Sequence, residues 1–170
     1  MFAKATPSLL MTLTLADPAP LAALLPKTPE AAAEADVRRT FVSAAIQHLE
    51  HGEIDAGLER FIDGVVAPGT WKASPESFRQ SVRENAWSIK GLLTDAQAPF
   101  TCADAAAIKA PVLLITGERS PRPYGVMLEA LSSCLKSHTK VTIPNAAHVM
   151  NRANPEAFNS AILNFLAKTK

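Results

Sequence analysis

The feature that most constrains this chain is an uninterrupted apolar run, Val112-Leu113-Leu114-Ile115, entered from Pro111 and left through Thr116-Gly117-Glu118. A strand with no polar alternation is buried on both faces, which is the habit of a parallel sheet covered by helices. Parallel strands need a crossover, usually a helix. Residues 124–135 supply one, with Met127, Leu128, Leu131 and Leu135 on one side. A further strand over 141–143 ends at Pro144-Asn145-Ala146-Ala147-His148. That places His148 at the carboxyl edge of the sheet, where open α/β sheets bind ligands. Asn154-Pro155-Glu156 then starts a closing helix, with Phe158, Ile162, Leu163, Phe165 and Leu166 expected to face the sheet.

Upstream, residues 8–15 read as a short buried strand, stopped by Asp17-Pro18. From Thr28-Pro29-Glu30 to about residue 96 the pattern is helical throughout. Val37, Phe41, Ala44, Ala45 and Leu49 share one face; Ile54, Leu58, Phe61 and Ile62 form a second. Phe78, Val82 and Trp87, then Ile89, Leu92 and Leu93, form a third and fourth. So many helices exceed a single crossover. Residues 28–96 are therefore expected to be an inserted helical cap over the strand ends, and 1–27 with 97–170 the core. The expected fold class is α/β, a partial parallel sheet of about three strands with that cap.

Composition excludes several function classes. A net charge of +1 without a basic stripe gives no footprint for nucleic acid. No apolar run approaches the ~20 residues of a membrane span. Lys4 alone before a weak Ala16-Asp17-Pro18 cleavage context does not make a signal peptide. A cytoplasmic protein follows, with Cys102 and Cys134 as reduced, mostly buried thiols. His48, His51, His138 and His148 are too dispersed for a metal site, and no cofactor is expected.

The run Pro111 through Glu118, the segment Ile143-Pro144-Asn145-Ala146-Ala147-His148 and the stretch Asn154-Pro155-Glu156-Ala157-Phe158-Asn159 together resemble the carboxyl-terminal half of the α/β-hydrolase fold. The resemblance covers the whole chain but only about half of that fold. It implies that His148 is the general base of a nucleophile–acid–histidine triad. It implies a small-molecule substrate: an ester, an amide or a related apolar compound. The nucleophile would sit in a Gly-x-Ser-x-Gly elbow, and no pair of glycines here brackets a serine in that way. The alternative is a non-catalytic remnant, or a binding module that pairs with a second copy through an open strand edge.

The acid stays open at this point. Proteins of this fold usually carry Asp three residues after the glycine that ends the penultimate strand; here that residue is Ser120. Asp17 at the end of the first strand, Glu118, or no working acid are the choices. Trp71, Trp87 and Phe100 line a pocket or pack the cap core, and Arg119 and Arg122 either grip a carboxylate or are plain surface residues.

Overall fold

In the computed structural model, which describes residues 9–18, 22–26, 28–94 and 99–169, the apolar run is the central strand of a three-stranded parallel sheet. The strands are β1 (Leu13–Ala16), β2 (Val112–Gly117) and β3 (Thr139–Ile143), in that spatial order. Leu13 lies opposite Val112, and Ile115 opposite both Ala16 and Val141. The helices are α1 (Pro29–Glu50), α2 (Ile54–Val65), α3 (Thr70–Ala73), α4 (Glu76–Glu84) and α5 (Ala86–Thr94). After them come α6 (Cys102–Ala106), α7 (Arg122–Cys134), α8 (Met150–Ala153) and α9 (Pro155–Lys168). The chain divides into two compact units, Met1–Ala32 with Pro99–Lys170, and Ala33–Ala98.

In the sheet unit, β2 explains itself. Val112 and Leu114 point to one side and pack with Ala105, Ile108, Leu128, Leu131 and Leu135. Leu113 and Ile115 point to the other and pack with Ile143, Ala146, Met150 and Phe165. A period of two with apolar residues at every position buries both faces. Asn154 starts α9, its side-chain oxygen accepting the Ala157 N–H at 3.2 Å.

Several sequence expectations need correction here. Leu9 and Met11 are 69% and 89% exposed, so the first strand is Leu13–Ala16 and not the buried run 8–15, whose Ser8 lies outside the described residues. The last strand starts two residues earlier than expected, at Thr139. On α9, Phe158, Ala161, Ile162 and Phe165 meet the core, while Leu163 is 65% exposed and Leu166 is exposed as well. One residue beyond Ile162 or Phe165 is a turn of about 100° around the helix, which carries the side chain off the buried stripe.

The cysteines also depart from expectation. Cys102 and Cys134 form a disulfide, with Cα atoms 5.1 Å apart. The bond joins α6 to the last residue of α7. Helix α6 opens with a reciprocal cap: Asp104 N–H donates to Thr101 Oγ1 at 3.3 Å, and Thr101 N–H to the Asp104 carboxylate at 2.9 Å.

The helical unit has its own core of Leu49, Leu58, Trp71 and Ala86, backed by Ile62, Val82 and Ile89. Gly64 permits close approach of α2 to α1; a Cβ there would lie 2.4 Å from the Phe41 ring. Asp63 caps α3 by accepting the N–H groups of Gly69 and Trp71, both at 2.8 Å. Val37 is exposed rather than inward, and Trp87 is 76% exposed. The reading of Phe78, Val82 and Trp87 as one face assumed a continuous helix. The helix breaks at Asn85, whose side chain donates to the Ser81 carbonyl at 2.8 Å, and the new phase buries Ala86 in place of Trp87. The side chains of Leu92 and Leu93 lie outside the described residues.

Candidate active site at the carboxyl edge of the sheet

Asp17 follows β1 directly, with its N–H donating to the Ile115 carbonyl at 2.9 Å. At 2% exposure it is the buried charged residue of the described chain. Its φ of +41° falls in the left-handed region, which Asp tolerates better than most residues and which recurs at functional sites. A carboxylate removed from water must have its oxygens satisfied. Thr116 Oγ1 donates to Oδ1 at 2.7 Å, and Ser120 Oγ donates to Oδ2 at 2.6 Å. His148 Nδ1 lies 3.2 Å from Oδ2.

His148 is held by a loop with little freedom. Glu118 N–H donates to the Ile143 carbonyl at 2.9 Å, and Arg119 N–H to the Ala146 carbonyl at 2.8 Å. The Glu118 carboxylate accepts the Asn145 N–H at 2.7 Å, and Arg119 Nη2 donates to Asn145 Oδ1 at 2.7 Å. Asn154 Nδ2 donates to the Pro144 carbonyl at 3.1 Å. Ala146 and Met150 anchor the loop in the core. Gly117 is required for this docking, since a Cβ there would lie 2.4 Å from the Ala146 oxygen. The ring of Tyr124, from the first turn of α7, stacks on the imidazole with centroids 4.3 Å apart and planes at 19°.

This geometry sorts the acid candidates. Asp17, after β1, meets His148, after β3, across the carboxyl end of β2. Glu118 turns to the backbone of Asn145 and does not touch the imidazole. Ser120 supports Asp17, not the histidine, and its oxygen also accepts the Gly117 N–H at 3.1 Å. A carboxylate that already receives two hydroxyl protons acts as acceptor toward Nδ1, so in the neutral ring Nδ1 carries the hydrogen and Nε2 the lone pair. Nε2 has no hydrogen-bond partner among the described residues. The imidazole side chain is 28% exposed, so its outer edge is open to a reactant.

The other candidates fall elsewhere. His48 pairs with Glu53 at 2.5 Å in the helical unit and His138 with Ser132 at 2.6 Å; His51 is exposed. Trp71 is core of the helical unit, and Phe100 packs beside the sheet. A cavity of about 750 Å³ runs along α7 past Val126 and Ala130, with Thr116 and Ser120 in its wall, but neither Asp17 nor His148 lines it. Sequence reasoning missed Thr116 and Tyr124. Thr116 carried a weak signal, a hydroxyl closing an otherwise apolar strand.

No protein-family description matches the chain, and no curated protein matches it by sequence. Solved structures do match by shape. The α/β-hydrolase enzyme MGS-M2 from a Medee basin deep-sea metagenome library superposes with a TM-score of 0.70 at 19% identity, over 99% of this chain and 60% of that one. The chain has an incomplete α/β-hydrolase fold. Two further α/β-hydrolase-fold structures agree. MenH from S. aureus gives 0.67 at 17% identity, covering 98% of this chain and 64% of that one. Carboxylesterase CesB from Bacillus subtilis gives 0.66 at 20%, covering 97% and 54%. This chain thus spans less than two thirds of the length of these α/β-hydrolase-fold structures. Among the described residues no helix is long and apolar enough to cross a membrane, and no group of His, Cys, Asp and Glu could hold a metal ion.

Proposed function

We propose that this chain is the base-and-acid portion of a hydrolase for small ester, amide or related apolar substrates, with His148 as general base and Asp17 as the acid. The observation that carries the reading is the buried Asp17 carboxylate facing His148 Nδ1, with Nε2 left open. In this arrangement Nε2 takes the proton of an attacking hydroxyl as its oxygen bonds to the substrate carbonyl carbon. The imidazolium so formed is stabilised by Asp17 and then gives the proton to the leaving oxygen or nitrogen. Hydrolysis of the acyl intermediate repeats the cycle with water. The 170 residues contain no Gly-x-Ser-x-Gly, so the hydroxyl comes from another stretch of polypeptide, together with the donors that hold the oxyanion.

The test is an assay with a short-acyl chromogenic ester. The chain alone is expected to give no acyl burst and no turnover that His148→Ala removes. Its upstream coding sequence, read in frame, is expected to carry the elbow. The joined protein is expected to turn over, losing at least about 1000-fold with His148→Ala. A His148-dependent burst from the isolated chain, or a joined protein indifferent to His148→Ala, overturns the reading.

One observation favours a second reading, a module that binds or self-associates through its sheet edge. Among the described residues β1 pairs only with β2, and Leu9 and Met11 stand exposed just before it. An open edge beside apolar side chains is a template for another strand. Concentration-dependent dimerisation abolished by Met11→Lys is the expected result; a monomer at all concentrations removes this reading.

A further inference from the structure

We infer that Tyr124 is a positioning residue that fixes the plane of the His148 imidazole, an inference that rests on Asp17 and His148 being a working pair. The bond between that pair is long, at 3.2 Å, and a single hydrogen bond at a ring edge leaves the ring free to swing about it. The His148 side chain is also partly exposed, so packing on its outer side does not hold it. Tyr124 is only 5% exposed and lies nearly parallel against one face of the imidazole.

Two constraints of different kind then act on one ring. Stacking sets the plane but would accept the ring turned over by half a revolution, with carbon in the place of Nδ1. The Asp17 carboxylate rejects that orientation, because only Nδ1–H can donate to it. Together they leave Nε2 in one position, facing away from Asp17, with one ring face closed. A reacting hydroxyl must therefore approach Nε2 in the ring plane, along its lone pair.

Tyr124 is suited to the task because its own position is overdetermined. Its N–H donates to the Pro121 carbonyl at 3.0 Å at the start of α7. The same helix is seated by Met127, Leu128 and Leu131, and its last residue is tied to α6 by the Cys102–Cys134 disulfide. The disulfide loop contains Thr116, Ser120 and Tyr124, so the groups that support the Asp17–His148 pair from the side of β2 and α7 belong to one closed segment.

The test is nitrogen NMR of the His148 ring, with the rate of Nε2 acylation by diethylpyrocarbonate read by mass spectrometry as an independent probe. Neither needs turnover. Tyr124→Phe keeps the stack and is expected to match the parent protein. Tyr124→Leu removes it and is expected to mix ring tautomers and raise the acylation rate about threefold to tenfold, the range an aromatic pair supports. Tyr124→Met is the substitute should the leucine variant fail to fold. Asp17→Asn is the separate control: an unchanged Nδ1–H signal in that variant would strike at the pair itself, not at Tyr124. A His148 ring that is the same in the parent and in the leucine or methionine variant overturns the inference. So does a phenylalanine variant as disturbed as the leucine one.

Discussion

In the sheet unit the buried carboxylate of Asp17 is met by Thr116, Ser120 and His148. In the helical unit the charges gather instead around Arg83, which grips Asp55 at 2.6 and 3.0 Å and Glu76 at 2.5 Å and lies over Trp71 at 5.6 Å. Both are well-formed polar clusters. They differ in burial: the Asp17 side chain is out of contact with water, whereas Asp55 and Glu76 are more than half exposed. A buried charge is kept only where every lone pair is answered, so removing any partner is costly. An exposed network gains little, because water competes for each bond. The contrast separates a cluster in which every partner is needed to keep a charge out of water from one in which each bond is exchangeable with water.

The largest effect is expected where neither cluster is touched. Leu114→Ala leaves a cavity under β2 and should cost about 3 kcal/mol or more. The two units have separate cores, so hydrogen exchange should show the loss in sheet-unit amides and spare α2 to α4. Equal weakening of both units would erase the contrast between them. Next in size is the disulfide. Closing a loop over a separation of 32 residues is worth about 3–4 kcal/mol, so Cys102→Ser with Cys134→Ser should lower the urea midpoint of the sheet unit. A midpoint unmoved by the substitutions or by a dithiol reductant would mean that the bond does not form in solution. Smaller again is Asp17→Asn, at about 2 kcal/mol, because the amide offers one acceptor where the hydroxyls of Thr116 and Ser120 need two. The expected readout is a lower melting temperature at neutral pH; a gain in stability would contradict the full hydrogen bonding of the carboxylate.

How much of this was legible in the residues follows the same division. Strand β2 was readable because four apolar residues in a row admit few structures, and α9 because Asn154-Pro155 announces a helix start. The place of His148 was readable as a strand end. The meeting of Asp17 and His148, 131 residues apart, was only one of several choices, because it depends on β1 pairing beside β2. The disulfide was hidden for a like reason: its 5.1 Å Cα separation is produced by the crossover that packs α6 on α7, and two cysteines carry no spacing signal for it. Trp87 was misplaced because a phase shift at Asn85 cannot be seen from apolar spacing alone. Thr116 and Ser120 matter through one carboxylate each touches, and no periodicity reports that.

The smallest predicted effect belongs to the exposed cluster, and its sign can be worked out. Hydrogen bonds from Arg83, more than its charge, hold the Asp55 and Glu76 carboxyls below their ordinary values, and desolvation opposes the shift. A carboxyl lowered in the folded state binds fewer protons there than in the unfolded chain. Its contribution is therefore complete above the unfolded value, about 4, and disappears as the pH falls through the lowered folded value. Arg83→Gln should thus weaken the helical unit slightly near pH 6 and flatten its loss of stability as the pH falls below about 4. The substitution leaves Asp17 and His148 untouched, so exchange in β2 should keep the parent's pH dependence. Urea midpoints at several acidic pH values, read by helical-unit amides, decide the matter. An acid slope identical to the parent's would show that Arg83 makes these bonds without gaining stability from them, which would place the surface network even further from the buried one.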